Sequence, residues 1–295
     1  MPMRPVLIEI PQDRPGFDRF IGSWLCPFDK TIVVDVGPSR SLQRLIASLT
    51  SRGIHRVDYV LLTHIHMDHA GGLAEFLDYF PTAAVVCHAK AISHLVDPTK
   101  LWLGSQNTLG DLAEAYGPIK PVKRDRLIPH TEVQVDGVEA IETPGHAVHH
   151  LSYIIQGYLF AGEAGGVYLG GNGGEYLRPA TPPVFLMKQF VESIDRLLTA
   201  RDLTMCYAHF GRAESSHRML KRERAQLLFW ERIIKEEMAK RDSDLSERCM
   251  ARLLAEDPEL SAFKAMSSAE QEREKFFMGN SIKGYLGFLQ EDPKS

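Results

Sequence analysis

Cysteine is scarce in this chain. There are four in 295 residues, Cys26, Cys87, Cys206 and Cys249, and no two form a CxxC pair. Thiols so few and so scattered build neither a disulfide framework nor a cysteine-only zinc site, and a reduced, cytoplasmic setting is expected. Long apolar runs are missing as well. No stretch approaches the ~20 apolar residues that cross a bilayer, and the first thirty residues mix Pro, Asp, Arg and Gly without an apolar h-region, so the chain is expected neither to span a membrane nor to be secreted. A basic excess is lacking too: Lys and Arg total 34 against 38 Asp and Glu, a net charge of −4. Nucleic acid, whose binding draws its strength from clustered cations on phosphates, is therefore not an expected partner. No GxSxG elbow occurs, and none of the cysteines has a justified histidine partner, which removes the support for a side-chain nucleophile. The run GEAGGVYLGGNGG from Gly162 to Gly174 lacks the spacings that cradle nucleotide phosphates, and is expected to be a mobile loop.

What is present is an ordinary globular balance, 44% apolar and 24% charged, without internal repeats or low-complexity tracts. Up to about residue 210, short β-branched runs alternate with turn signals and amphipathic stretches, an α/β rhythm. Strands are predicted over Pro5–Ile10, Thr31–Val36, Val57–Leu62, Ala83–Cys87, Glu132–Val135, Val138–Glu142, Ser152–Phe160 and Leu203–Tyr207. The Asp136-Gly137 step predicts a hairpin between the runs on either side. Helices are predicted over Ser41–Arg52, Leu73–Phe80, Thr108–Tyr116 and Met187–Ala200. After Gly211 charge becomes dense and the apolar residues Met219, Leu220, Leu227, Trp230, Ile233, Ile234 and Met238 recur at helical spacing. Further helices are predicted over Leu245–Ala255 and Ala269–Phe277, with Asp257-Pro258 and Gly279-Asn280 as breaks. The expected organisation is thus an α/β domain over residues 1–215 and a helical extension over residues 216–295. The extension's apolar stripe must be buried against its own domain, over the mouth of a site, or in a homodimer contact.

One segment concentrates chemistry. Thr63-His64-Ile65-His66-Met67-Asp68-His69-Ala70-Gly71-Gly72 follows a predicted strand and precedes a predicted helix, placing four metal-competent side chains within six residues. If extended geometry persists past the strand, its period of two puts His64 and His66 on one side, and the turn into the helix returns Asp68 and His69 beside them. Imidazole with carboxylate suits zinc, iron or manganese better than calcium or magnesium.

His64, His66, Asp68 and His69 resemble the HxHxDH motif of the metallo-β-lactamase-fold hydrolases, in particular the glyoxalase II-like branch. Later segments resemble that family's motifs in order: Thr143-Pro144-Gly145-His146, then Phe160-Ala161-Gly162-Glu163, then Tyr207-Ala208-His209-Phe210-Gly211. The resemblance implies a four-layer αββα sandwich with the helical appendage behind it. It also implies two divalent metal ions, zinc first and iron or manganese otherwise. One ion would take His64, His66 and His146, the other Asp68, His69 and His209, with Glu163 bridging. The implied reaction is attack of a hydroxide shared by two cations on a small ester, thioester, lactone or related substrate, with Asp68 handling the leaving-group proton. Glu163 departs from the family's aspartate and reaches about 1.5 Å further. Asp35 is similar to an early Asp-Thr-Gly turn and would orient a ligand histidine, while His150, four residues after His146, would support the site rather than bind metal. Tyr168, Tyr176, Arg178 and Trp102 are candidates for the substrate pocket, Arg178 as holder of an anionic group. Two other readings stand beside the hydrolase: a mononuclear iron oxidoreductase resembling the persulfide dioxygenases, and a non-catalytic metal-binding or sensing protein.

Overall fold

A computed structural model describes residues 4–171, 174–240 and 243–291. The first sheet is formed by β1 (Val6–Glu9), β2 (Gly22–Pro27), β3 (Thr31–Val34), β4 (Tyr59–Leu61), β5 (Ala84–Cys87) and β6 (Leu127–Pro129), in that spatial order. Its β1-β2-β3 edge is antiparallel, and β3 to β6 run parallel. Parallel neighbours need crossovers. These are supplied by α1 (Leu42–Ser51), α2 (Met67–Ala70), α3 (Leu73–Tyr79), α4 (Ile92–Val96), α5 (Thr99–Leu109) and α6 (Asp111–Tyr116). The second sheet holds β7 (Val138–Glu142), β8 (Leu151–Ile155), β9 (Tyr158–Gly162), β12 (Thr204–Tyr207) and β13 (Arg212–Ala213), ordered β13-β12-β9-β8-β7. Between β9 and β12 stand the hairpin β10 (Val167–Gly171) and β11 (Gly174–Arg178) and the helix α7 (Met187–Leu197).

Three apolar clusters define the layers. Trp24, Ile32, Val34, Leu61 and Val86 of the first sheet meet Leu151, Tyr153, Ile155 and Phe160 of the second. Behind the first sheet Val33, Val60 and Val85 pack on Leu45, Leu49, Phe76 and Leu112 from the crossover helices. Behind the second, Leu159, Met205 and Tyr207 pack on Phe190, Leu220, Leu227, Trp230 and Tyr285. The order is helix, sheet, sheet, helix: an α/β architecture in four layers.

The outermost layer comprises α8 (Ser216–Ala239), α9 (Leu245–Glu256) and α10 (Ser268–Glu291). The stripe of α8 is buried against α7, the hairpin and α10, each large side chain contributing about 1.5–3 kcal/mol by leaving water. Trp230 Nε1 and Gln226 Nε2 both donate to Asp257 Oδ2 at 2.7 Å, tying α8 to the turn after α9.

Several elements differ from the sequence expectation. The run Ser152–Phe160 is two strands, because Gln156 and Gly157 both take positive φ and close a hairpin. Glu132–Val135 is not a strand: Asp136-Gly137 turns, with Val138 N donating to Val135 O at 3.0 Å, but Val138–Glu142 pairs forward with β8. In the glycine-rich stretch expected to be a mobile loop, the described residues form a short 3-10 turn and the paired strands β10 and β11, where Tyr168 with Leu177 and Leu169 with Tyr176 set apolar side chains across from each other, while Asn172 and Gly173 lie outside the described residues. Helix α10 runs through Gly279-Asn280 without a break. No helix among the described residues is long and apolar enough to cross a membrane.

Candidate metal centre

The segment after β4 stays extended to His66, whose φ of −61° and ψ of 152° make it the cap of α2. His64 and His66 therefore share a side, their rings 4.6 Å apart. The single turn of α2 brings Asp68 and His69 back toward them. His146 arrives from the loop joining β7 to β8, Glu163 from the end of β9 and His209 from the end of β12. All are delivered at one edge of the sandwich, and they form two groups: His64, His66, His146 and Glu163, then Asp68, His69 and His209.

Glu163 lies between the groups. Its Oε2 is 2.6 Å from His146 Nε2 and 3.2 Å from His64 Nε2, while its Oε1 is 3.0 Å from His209 Nε2. The carboxylate is placed by its backbone. Glu163 N–H donates to His150 Nε2 at 2.9 Å, and His150 Nδ1 bonds Thr143 Oγ1 at 2.8 Å. Gly162 takes φ +57° against the same ring, and a Cβ there would fall 2.4 Å from His150 Nε2. Glycine alone fits this strand end. His150 is thus a positioning residue for Glu163.

A set of acceptors fixes the imidazoles. His69 Nδ1 meets Asp35 Oδ2 at 3.1 Å, His146 Nδ1 meets Ala180 O at 2.9 Å and His209 Nδ1 meets Phe20 O at 3.3 Å. His64 Nδ1 meets Thr63 Oγ1 at 3.1 Å, and that hydroxyl donates in turn to Asp35 Oδ2 at 2.7 Å. Each acceptor demands a proton on Nδ1, leaving the Nε2 lone pair to face inward. Asp35, buried and at φ +57°, accepts from both Thr63 and His69.

The inward-facing atoms are in conflict unless a cation lies among them. His64 Nε2 and His69 Nε2 are buried without a hydrogen-bond partner. His146 Nε2, its ring proton already given from Nδ1 to Ala180 O, stands 2.6 Å from Glu163 Oε2, acceptor against acceptor. Lone pairs converging on a carboxylate in a buried site are what a divalent ion relieves. The residues therefore fit the metal ions their types suggest. Burial and the neighbouring imidazoles hold His64 and His66 well below the ordinary histidine value, in the neutral form a ligand needs. Burial disfavours charge on His69, but Asp68, Asp35 and Glu163 outweigh it and push its value up to about 10, so without metal a proton occupies this electronegative place. Burial opposes ionisation of Glu163 too, yet contacts from His146, His209 and His64 hold it well below the usual carboxylate range.

A cavity of about 400 Å³ opens over His66, Asp68, His146, Glu163 and His209. Helix α5, the segment after β11 and helix α10 wall it. Several expected pocket residues are placed otherwise. Tyr176 is fully buried in the core behind the second sheet, and Tyr168 stacks on Tyr207 with 4.6 Å between centroids, its hydroxyl donating to Glu175. Pairing in the hairpin turns both toward packing and away from the cavity. Trp102 packs on the core of the first sheet; its neighbour Leu101 reaches the cavity instead. Arg178 borders the cavity, but its Nε donates to Glu274 Oε2 at 2.5 Å and its guanidinium covers the Phe277 ring. Its Nε is committed to Glu274, a carboxylate it shares with Arg273, and the side chain is buried. The sequence reading missed Phe277, Asn280 and Ser281 of α10, which border the cavity; their helical spacing was the available signal.

The ligand geometry and the fold define a metallo-hydrolase scaffold of the αββα type. The family profile of the metallo-beta-lactamase superfamily matches residues 25–209, and the chain belongs to this superfamily. It is 32% identical over 195 residues to the metallo-beta-lactamase fold-containing protein ST1585 of Sulfurisphaera tokodaii, covering 63% of this chain and 71% of that protein. It is 29% identical over 195 residues to a hydroxyacylglutathione hydrolase of Aeromonas hydrophila, covering 65% of this chain and 61% of that protein. The crystal structure of ST1585 superposes with a TM-score of 0.67 at 23% identity, covering 95% of this chain and 98% of that one. A beta-lactamase domain protein from Burkholderia ambifaria superposes at 0.65 and 16% identity, covering 98% and 86%. At these identities the two structures establish the shared fold alone.

Proposed function

We propose that this protein hydrolyses a small ester, thioester, lactone or related molecule at a centre of two divalent ions, zinc first among them. The observation that carries the reading is the position of Glu163, whose two oxygens face the two ligand groups separately, Oε2 toward His146 and His64 and Oε1 toward His209. The longer glutamate side chain, at the start of a 3-10 turn, lies within 3.0 Å of an imidazole nitrogen from each group. Such a centre, when loaded, supplies a hydroxide at neutral pH and Lewis acidity for the developing oxyanion. The protein's own contributions are the tautomers set by Asp35, Thr63, Ala180 and Phe20, and a proton site at Asp68. Asp68 Oδ2 lies 3.5 Å from His69 Nε2 and 3.9 Å from His209 Nε2 and borders the cavity, the position from which it would pass a proton to the leaving group.

Elemental analysis of protein purified without added metal or chelator tests the reading. Two ions per chain are expected, with turnover of an ester and thioester panel that chelation abolishes. A single iron with oxygen consumption would replace the hydrolase by the oxidoreductase, and a site that refuses metal would leave a binding protein.

A further inference from the structure

Helix α10 approaches the ligand edge closely. At Gly284 a Cβ would fall 2.2 Å from Thr181 O, so the helix backbone lies directly on the segment that follows β11. This contact sets Phe277 and Asn280 on the cavity. Asn280 is only 8% exposed, and among the described residues none hydrogen-bonds its amide. Its access to the cavity makes a ligand the natural partner.

The hydroxyls of Thr181 and Ser281 beside Asn280 are already used, whereas that of Tyr116, across the cavity, is buried without a partner. Thr181 Oγ1 donates to Ser281 O, and Ser281 Oγ donates to Pro179 O. The fixed cations bordering the cavity are Lys100, exposed at its rim, and Arg178, held by Glu274. Apolar side chains supply much of the remaining wall: Leu101, Leu109, Val148, Val184 and Phe277. Val148 is 49% and Val184 87% exposed, an apolar lip continuous with the interior. Val184 is also held at φ +71°, a conformation a β-branched residue adopts only under strain, which accumulates at ligand-handling sites.

We infer that the cavity takes an uncharged acyl substrate with an apolar arm, and that Asn280 selects it by hydrogen-bonding a neutral amide or carbonyl group. The amide of Asn280 offers both donors and an acceptor, the match for such a group and a poor one for a carboxylate, which needs cations. The arm lies along the five apolar side chains. The inference rests on the hydrolase reading for the position of the scissile group, while the binding surface itself is tested without turnover.

The test uses thioesters of N-acetylcysteamine, which carry a neutral amide, with acyl groups from acetyl to octanoyl. Butanethiol thioesters lack the amide, and mercaptosuccinate thioesters are anionic. On the metal-loaded protein, kcat/KM rises about fourfold per added methylene until the cavity is filled. The neutral amide series exceeds the anionic one. Asn280→Leu lowers the preference for N-acetylcysteamine over butanethiol thioesters by about tenfold, the size of one hydrogen bond, and Asn280→Gln recovers part of it. Unreactive ketone analogues, with CH2 in place of sulfur, are titrated by calorimetry in parallel and follow the same order of affinity. Chain-length-dependent binding with no turnover would sink the hydrolase reading and uphold this one. Turnover without chain-length dependence, a preference for mercaptosuccinate thioesters, or an Asn280→Leu variant with unchanged preference would overturn the inference and leave the hydrolase standing.

Discussion

Two clusters in this molecule are assembled from the same residue types and differ in wiring. His64, His66 and His146 converge on Glu163, while His88 and His130 converge on Glu142, and either set has ligand atoms close enough for an ion. In the first set, backbone and side-chain acceptors take the Nδ1 protons of His64 and His146 and free their Nε2 lone pairs. In the second, Lys90 N–H donates to His88 Nδ1 at 3.0 Å, which occupies that lone pair and leaves the proton on Nε2. That proton faces Glu142 Oε1 at 3.6 Å, and His130 Nε2 donates to the same oxygen at 2.9 Å. Donors meeting a carboxylate are satisfied and acceptors meeting one are not; in the second set the orphaned nitrogen, His130 Nδ1, is the one other than the Nε2 that meets the carboxylate. Which hydrogen bond reaches the outer nitrogen, more than how many histidines gather, separates a candidate metal centre from a pair of ion-bonded imidazoles.

The contrast is broken or sharpened by five variants. The largest effect is expected from His146→Ala, which removes a whole ligand: metal content measured by elemental analysis falls and chelator-sensitive turnover is lost, whereas His130→Ala leaves metal content as it was. Equal loss in both variants would end the distinction. Next comes Glu274→Gln, a test of whether wiring matters as much for a buried ion pair. Burial opposes the Glu274 charge, but Arg178 and Arg273 hold its carboxyl below its usual value of 4.5. A depressed folded-state value stabilises above about 4.5 and loses that contribution as pH falls through the lower one. Glu274→Gln is therefore expected to cost about 3–5 kcal/mol at neutral pH, by leaving buried arginine charge unpaired. It should also flatten the acid limb of urea stability measured against pH. A smaller effect belongs to Asp35→Asn. Asp35 touches His69 and Thr63 but does not belong to either ligand group, so metal affinity in a chelator competition should weaken about 10–100-fold while stoichiometry at saturating metal is kept. The smallest is Glu142→Ala. Its half-exposed carboxylate makes a pair worth about 0–1 kcal/mol, and thermal unfolding should barely move.

The comparison also explains what the sequence made legible. His64, His66, Asp68 and His69 were readable because their arrangement is local: a strand end, an extended pair and one helical turn. His146, Glu163 and His209 followed from ordered motifs, and Asp35 from its place at the end of β3. The atoms that orient His146 and His209 are the carbonyls of Ala180 and Phe20, and a carbonyl carries no residue-type signal. The fold showed the same division. The parallel strands β3, β4 and β5, with contiguous apolar runs, were found, whereas β2 and the three-residue β6 were not, since their extended form comes from neighbouring strands. At Gly279-Asn280 a helix break was expected from propensity, about 1 kcal/mol for glycine. Burial of Met278, Ile282 and Tyr285 on the preceding layer outweighs it. Arg178 looked like an anion clamp because its partner Glu274 lies almost a hundred positions away.

Helix α10 lies outside the stretch that matches the superfamily profile, yet it forms one wall of the cavity over the ligands. The candidate ligand groups and this wall are thus written on separate parts of the chain, the first on residues 64 to 209 and the second in part on residues 277 to 281. A substitution at Phe277 or Asn280 therefore reshapes the cavity while leaving every residue of the two ligand groups in place.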